Sequence, residues 1–581
     1  MAGYVVHPDL AAGIVEARPY QLQAVDDALA GSTLLVLPTA AGKTAVAWMT
    51  IVERLAKKGG WALVIAPTVA LANQHLQSTI PVLAQTIEYN PLSLSGQNSA
   101  DKRERIWKQS RLIFATPQVV RNDVRSGKLS LQDCSLLVVD EAHHCTGSHA
   151  MGEAAELYLS QSKNPLILAT TASPSSRMDQ VKEICSRLEV KKIHLRTPAD
   201  SMVSQYLSGL EIREENVEVP DEIRELVEPF RIWQDSIVDM ERRTGRYVMP
   251  GRVTQLGLSN AMDRAQAAIG RGDKSGYRSS SRIAIAMRLH HLINHLLCQG
   301  IAASRHFLKR MQDDSGKTRS SSDFLRDTRV RYLSNKLSEM DEIHSKVGAV
   351  RRLVRSRIRR DPESRIIVFA NFRDTVDALE IALKDLEGAL AIQFIGQSSR
   401  GESGGLSAKE QISRLEAFRS GEANVLVATS VGEEGLDIPS ADLVIFYEPV
   451  SSEIRTIQRR GRTGRSREGE VVVLVAEGTR DEGAREASKR KEEAMHRAVR
   501  RVSRSLTGNP HRDLSNLSSF SVESSEGLLS ASEFVLEARS KLGPEISEHD
   551  TTGFPDRKMG DLERIPPESF RPEGQTGLDQ F

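Results

Sequence analysis

Leu34-Leu35-Val36-Leu37-Pro38-Thr39-Ala40-Ala41-Gly42-Lys43-Thr44 is a short apolar run, a turn and the opening of a stretch with helical spacing. A buried strand that feeds a turn and a helix N-terminus gathers backbone N–H groups and the positive end of a helix dipole around one point. Such a point binds phosphate. Lys43 stands where it can reach β- and γ-phosphates, and Thr44 where it can ligate Mg2+. Thr39, Ala40, Ala41 and Gly42 make the rest of the cradle. Ala40 occupies a position at which this loop usually has glycine, so a positive φ there would be strained. A loop with a purely structural role has the same local pattern, and the surrounding sequence must decide between the two.

Working outward, short continuous apolar runs separated by helix-length segments occur in two sets. The first covers residues 34–37, 62–66, 112–115, 136–140 and 166–169, and the second 365–370, 391–395, 425–428, 443–447 and 471–475. Continuous rather than alternating apolar strands mark a parallel sheet covered by helices on both faces. The expected fold class is therefore α/β, with two doubly wound parallel-sheet domains.

Between the two sets, segments 221–240 and 281–308 have helical spacing, whereas 271–282 and 312–323 are polar and expected as loops. Residues 241–360 hold 26 Lys and Arg against 10 Asp and Glu, while the whole chain has a net charge of only +1. A basic helix can simply be a solvated face, but an excess over this length suits a polyanion. The expected organisation is a first α/β domain at 1–200, a helical basic insert at 201–345 and a second α/β domain at 346–480. A charged helix and low-order extension, rich in Ser, Glu, Pro and Gly, follow at 481–573. A terminal peptide occupies 574–581.

Other classes are disfavoured. The four cysteines lack pairing or zinc-site spacing, which fits free thiols in a reducing compartment. The first twenty residues lack a signal-peptide core, and no apolar run approaches the roughly 18–20 residues of a membrane span. A cytosolic protein is expected.

Two further motifs complete the chemistry. Asp140-Glu141-Ala142-His143 ends an apolar run, at the strand edge where open α/β sheets bind ligands. Asp140 is a candidate Mg2+ holder and Glu141 a candidate for orienting or deprotonating water. An acidic pair at a strand end could instead cap a helix. Gln458-Arg459-Arg460-Gly461-Arg462-Thr463-Gly464-Arg465 presents guanidinium groups that can stabilise charge on a transferring phosphoryl group, or bind nucleic-acid phosphates.

The order of motifs resembles superfamily 2 helicases. Arg18-Pro19-Tyr20-Gln21 looks like their adenine-reading motif. Ala66–Gln74, Ala115–Gln118, Thr171–Pro174, Ile367–Asn371 and Ala428–Pro439 look like motifs Ia, Ib, III, IV and V, with the arginine stretch as VI. The resemblance covers about residues 15–480. It implies ATP between two RecA-like domains, with Lys43, Thr44, Asp140 and Glu141 on one side and Gln458, Arg462 and Arg465 on the other. Gln21 would read the base, and Gly435 and Asp437 would approach ribose and phosphates. Thr68, Gln74, Thr116, Asn371 and Thr429 would line the strand-backbone path, and His143, Thr171 and Ser173 would couple it to the ATP site.

More narrowly, the chain resembles archaeal Hef helicases and Fanconi-anaemia M-type translocases. His144 after the DEAH box, the basic helical insert and Phe394-Ile395-Gly396-Gln397 with the polar loop to Gln411 carry that likeness. It implies an ATP-dependent DNA helicase or translocase on forked or branched DNA. RNA-sensing relatives of the retinoic-acid-inducible type and the Dicer helicases share the inserted layout, so an RNA-dependent ATPase is the second reading. A nucleotide-switched scaffold is the third. The nuclease motif of Hef proteins has only the near match Asp556-Arg557-Lys558, with Asp561 one place too early; the likeness is to the motor half alone.

Gln575, Leu578 and Phe581 have the spacing of a peptide that binds the PCNA-type sliding clamp. Leu578 and Phe581 can fill one apolar pocket from a single turn. The single aromatic suits archaeal versions of that motif, and the tail favours DNA as the substrate.

Overall fold

The structure, a computed structural model, describes residues 3–38, 41–85, 88–96, 98–206, 210–313, 319–396, 406–429, 441–449, 469–506, 513–525 and 527–541. Its strands in chain order begin with β1 (Tyr4–Val6), β2 (Thr33–Val36), β3 (Trp61–Ile65), β4 (Leu92–Leu94) and β5 (Leu112–Ala115). Next come β6 (Cys134–Asp140), β7 (Ile167–Thr171), β8 (Lys192–Leu195), β9 (Leu210–Val217), β10 (Ile366–Ala370) and β11 (Ala391–Phe394). The last are β12 (Val425–Thr429), β13 (Leu443–Phe446), β14 (Gly469–Ala476), β15 (Ser521–Ser524) and β16 (Gly527–Ser530).

Strands β2 to β8 form a seven-stranded sheet in the order β4-β5-β3-β6-β7-β2-β8, with every pairing parallel. The central strands carry unbroken apolar runs, at residues 34–37, 62–66, 112–115 and 136–139, because both faces are covered. Leu34, Val36, Leu63 and Ile65 join the core on one face. Their chain neighbours Leu35, Leu37, Ala62 and Val64 join a separate core on the other. Side chains alternate with period two along a strand, so each strand feeds two cores. The second sheet, β11-β12-β10-β13-β14-β9, repeats this: Ile366, Val368 and Ala370 face one core, Ile367 and Phe369 the other. The expected fold class, two doubly wound α/β domains with a helical bundle between them, is the observed one.

The bundle comprises the helices Asp221–Arg243, Gln255–Gly270, Ser275–Cys298, Ile301–Asp313, Arg319–Arg326 and Thr328–Glu339 around a core of its own. Four expectations need correction. Residues 312–323, read as a loop, include the end of the helix Ile301–Asp313 and the start of the helix Arg319–Arg326. Residues 271–282, read as a loop, enter the helix Ser275–Cys298. Polar residues are tolerated there because one turn in part faces solvent while Ser279, Ile283 and Ala286 are buried. Segment 281–308 is not one helix but two, broken where Gly300 takes φ +109. Such a backbone conformation admits glycine far more readily than other residues. And Leu210–Val217, placed inside the insert, is the edge strand β9, parallel to β14. Its charged residues disguise it, since edge strands carry charge where central ones cannot.

The region after residue 480 also differs from expectation. The helix Arg480–Leu506 is charged, but Met495, Ala498, Val499 and Val502 are buried in a core of the first domain. Residues 513–525 and 527–541, read as low-order, form a turn, the paired strands β15 and β16 and the helix Ala531–Lys541. β15 pairs antiparallel with β1, and Leu514, Leu517, Phe520, Val522, Ala531 and Val535 complete the first domain's core. These apolar residues are spread thinly through a Ser- and Glu-rich stretch, and their partners lie at the opposite end of the chain. Glu53 fixes this seam by accepting from His7 Nε2 (2.9 Å) and Ser519 Oγ (2.9 Å) and pairing with Lys57. Burial alone raises its carboxyl; the bonds from His7, Lys57 and Ser519 outweigh that and hold it at about 2. The four cysteines are free and buried.

Candidate nucleotide site and strand path

Five site residues of the first domain lie at or just past the carboxyl ends of strands in one parallel sheet. Lys43 follows β2, Thr68 follows β3, Thr116 follows β5, Asp140 ends β6 and Thr171 ends β7. Open α/β sheets bind ligands at that edge because the strand-to-helix turns there present N–H groups and helix N-termini together.

Gly42 occupies the left-handed region (φ 76, ψ 43) immediately before the helix Lys43–Lys58. A Cβ built on it would lie 2.2 Å from Gln21 Nε2, so the position excludes a side chain on two grounds. The turn is held from beneath: Tyr20 Oη and Gln21 Nε2 each donate to the Ala41 carbonyl at 2.9 Å. Lys43 is buried and donates from Nζ to the Leu37 carbonyl at 3.1 Å. Thr39 and Ala40 lie outside the described residues.

Asp140 is buried. Its Oδ1 accepts from Thr170 Oγ1 at 2.7 Å, and its Oδ2 lies 2.8 Å from His75 Nε2. Glu141 stands at φ 53, ψ 52, an uncommon conformation for a non-glycine residue. It holds the N-cap position of the short turn Ala142–His144, yet its side chain makes no capping bond. Helix capping therefore does not account for this acidic pair. His143 Nδ1 lies 3.4 Å from Glu141 Oε2 and 3.3 Å from Thr171 Oγ1, and Thr171 Oγ1 accepts from the Ser173 N–H at 3.2 Å. The three expected coupling residues thus form one chain leading away from Glu141.

The donor set fits ATP with Mg2+. Lys43, Thr44, Asp140 and Thr170 line a single cleft. Mg2+ is commonly held by one or two carboxylates with hydroxyl, phosphate and water oxygens, rather than by an all-protein cage. No group of three or more His, Cys, Asp and Glu side chains suited to a metal occurs among the described residues. Gln21 Oε1 is buried without a hydrogen-bond partner among the described residues. It is an acceptor matched to a donor such as an adenine amine.

Along the expected strand path, Thr68 caps the helix Val69–Thr79 by accepting from the Leu71 N–H at 3.2 Å, so its hydroxyl already has a structural duty. Thr116 sits at the head of the helix Pro117–Arg125 without a capping bond from its side chain. In the second domain, Thr429 ends β12 and Asn371 follows β10, whose last residue Ala370 is in register with Thr429. The Asn371 N–H donates to Glu448 Oε2 at 3.0 Å. Gly435, Asp437, Gln458, Arg462 and Arg465 lie outside the described residues, as do Gln575, Leu578 and Phe581.

Sequence reasoning missed three residues that the geometry brings in. Tyr20 stood inside a recognised motif, but its bond to the phosphate loop needs a tertiary contact. His75 directly follows Gln74, and only the fold brings it to Asp140. Glu448 lies just past β13 and bridges Asn371 to Gln299 of the insert, whose Nε2 donates to Glu448 Oε1 at 2.7 Å. Burial pushes the Glu448 carboxyl up.

A phosphate loop, a strand-end acidic pair and a paired second α/β domain define the motor of a superfamily 2 helicase, a class of ATP-hydrolysing enzymes. Family models agree: "DEAD/DEAH box helicase" matches residues 18–181, "Helicase conserved C-terminal domain" residues 345–467, and "Putative ATP-dependent RNA helicase, helical bundle" residues 256–344. The crystal structure of the Pyrococcus furiosus Hef helicase domain is similar at 35% identity with a TM-score of 0.64, covering 81% of this chain and 98% of that one. A "Putative ATP-dependent RNA helicase" of Methanocaldococcus jannaschii is 34% identical over 86% of this chain. The "ATP-dependent DNA helicase mph1" of Neurospora crassa is 30% identical over 81% of it. This chain spans 63% of the first of these two relatives and 42% of the second. The chain belongs to the superfamily 2 helicases of the Hef and FANCM type.

Proposed function

We propose that this protein is an ATP-dependent DNA helicase or translocase that acts on forked or branched DNA during fork repair and recombination. The observation that carries the reading is the continuous connection from Asn371, on the expected strand path, through Glu448 to Gln299 at the break in the insert. Arg310 of the insert also pairs with Asp374 in the helix that follows Asn371 (2.8 Å). A basic insert fixed in this way to a strand-gripping edge suits a substrate engaged at two places, as at a fork. Contacts to phosphate and sugar along that edge would position the strand without reading its sequence.

In the chemistry, Lys43 holds the β- and γ-phosphates and Glu141 orients the attacking water. Arg462 and Arg465 meet the charge that develops on the transferred group. Mg2+, held by Thr44 and Asp140, would neutralise the phosphate oxygens. Gln21 would fix the base, and Gly435 and Asp437 the ribose side. Binding of one γ-phosphate by both domains closes the cleft, and its loss reopens it. His143, Thr171 and Ser173 lie on the route from Glu141 towards the strand.

The Methanocaldococcus relative is named as an RNA helicase, and an RNA-dependent ATPase is the second reading. Steady-state ATPase rates with no nucleic acid, forked DNA, linear duplex, single-stranded DNA and structured RNA test both. Forked DNA is expected to stimulate turnover at least tenfold more than RNA; the reverse order would move the chain to the RNA reading. The tail supports DNA through its likeness to a PCNA-binding peptide. Deleting residues 574–581 is expected to remove sliding-clamp binding and leave unstimulated ATPase unchanged, and clamp binding that survives the deletion would sink this assignment. No helix among the described residues is long and apolar enough to cross a membrane. A cytoplasmic, nucleoid-associated location fits the DNA reading.

A further inference from the structure

His75 is part of neither the phosphate loop nor the acidic pair, yet it joins them to the strand path. It sits on the helix Val69–Thr79, one residue after Gln74 and on the same rigid element that Thr68 caps. Its Nε2 lies 2.8 Å from Asp140 Oδ2, so against an ionised carboxylate Nε2 is the protonated nitrogen. Its side chain is 17% exposed and lines the cleft shared by Lys43, Thr44 and Asp140. The other oxygen of Asp140 is taken by Thr170. The carboxylate is therefore oriented from two sides, one fixed within the sheet and one borne by the strand-side helix. A second link runs the same way: Thr79 Oγ1 donates to the His75 carbonyl at 2.6 Å and accepts from Trp48 Nε1, on the phosphate-loop helix, at 2.9 Å.

We propose that His75 is a positioning residue that transmits strand engagement on the helix Val69–Thr79 to the metal-holding carboxylate of Asp140. This rests on the functional reading above, which places Asp140 at the metal and Gln74 and Thr68 on the strand path. The physical basis is the short reach of the bond. An N–H···O contact at 2.8 Å is strong, and a helix displacement of about 1 Å takes it beyond hydrogen-bonding range. Because the helix moves as a body, a strand that shifts or locks it resets the orientation of Asp140. The bond thus makes the two ligands sense each other, and any such coupling is reciprocal.

The test is a linkage measurement on the full chain without turnover. Affinity for a non-hydrolysable ATP analogue with Mg2+ is measured with and without saturating forked DNA, and affinity for the DNA with and without the analogue. The two ratios must agree, and for the unaltered chain a factor of roughly 5 or more is expected. His75→Leu fills the space but removes the donor; His75→Gln keeps a donor. In His75→Leu the factor is expected to fall to within about twofold of unity while each ligand alone still binds. In His75→Gln more than half of the coupling, on a logarithmic scale, is expected to return. His75→Ala replaces His75→Leu should the latter not fold. An unchanged factor in His75→Leu, or equal losses in both variants, would overturn the proposal and leave His75 as a structural tether. An unaltered chain with no linkage at all would also overturn it. That failure is distinguishable from failure of the ATP-site reading, which the turnover of Lys43→Ala tests separately.

Discussion

Lys43→Ala is expected to abolish ATP hydrolysis, lowering kcat on the order of 10³-fold, the upper end for loss of one preorganised donor at a phosphoryl or acyl centre. The side chain is buried and its ammonium is held on the Leu37 carbonyl at 3.1 Å. A carbonyl stabilises a buried ammonium less than an anionic oxygen does, so arriving phosphates are better partners for it. Alanine leaves the loop backbone and Gly42 in place but removes the only side-chain cation that the described part of the loop contributes. Helix formation is not harmed, because alanine suits a first helical turn and no buried charge remains to be desolvated. The melting temperature should therefore stay level or rise. Forked-DNA affinity should change by less than about threefold, since the substitution touches neither the insert nor the strand path. Steady-state ATPase and fluorescence anisotropy on one preparation check both halves. Turnover within tenfold of the unaltered chain would remove Lys43 from the active site.

The core of this arrangement was legible because central parallel strands and the turns after them obey local rules. Residues 34–37, 62–66, 112–115, 136–139, 366–370, 425–428 and 443–447 are unbroken apolar runs, and several of them are followed directly by the polar and charged residues of the candidate site. What escaped was set by distance along the chain. β9 is charged because it lies at an edge, and only its pairing with β14 reveals it as a strand. The strand pair β15–β16 owes its order to β1, more than five hundred residues away, and to the helix Pro19–Ala30, where Asn516 reaches Asp26. No window of local sequence contains that information. His75 illustrates the same limit within the site: its motif was recognised, but its partner is 65 residues on. The acidic pair is the converse case. Capping and catalysis were indistinguishable in sequence, and the uncapped side chain of Glu141 removes the capping reading.

Lys346→Met is expected to give the largest loss of stability. Lys346 is fully buried where four parts of the chain meet. Its Nζ pairs with Asp481 at the start of the helix Arg480–Leu506, donates to the Tyr447 carbonyl at 2.6 Å and lies 4.9 Å from the centre of the Tyr447 ring. Tyr447 Oη donates to the Gln299 carbonyl of the insert at 2.9 Å, and His344, beside Lys346, holds the Leu297 carbonyl at 3.0 Å. Methionine matches the aliphatic stem, so the change isolates the charge. It strands Asp481 in the interior with only the Ala476 N–H (3.2 Å) among the donors named here, plus its place in a first helical turn. Breaking a buried pair from one side costs about 3–5 kcal/mol, because the remaining charge is uncompensated. For a cooperative unit of this size that corresponds to a fall of roughly 10 °C in melting temperature. Adding Asp481→Asn removes the stranded charge and should restore at least half of the loss, giving a strongly non-additive pair. Because Arg480–Leu506 runs from this hub to the first domain, hydrogen exchange should rise in the helix and at the Gln299–Gly300 break before it rises in either sheet. A single-variant loss below about 1 kcal/mol, or additivity in the double variant, would show that Lys346 does not hold these parts together.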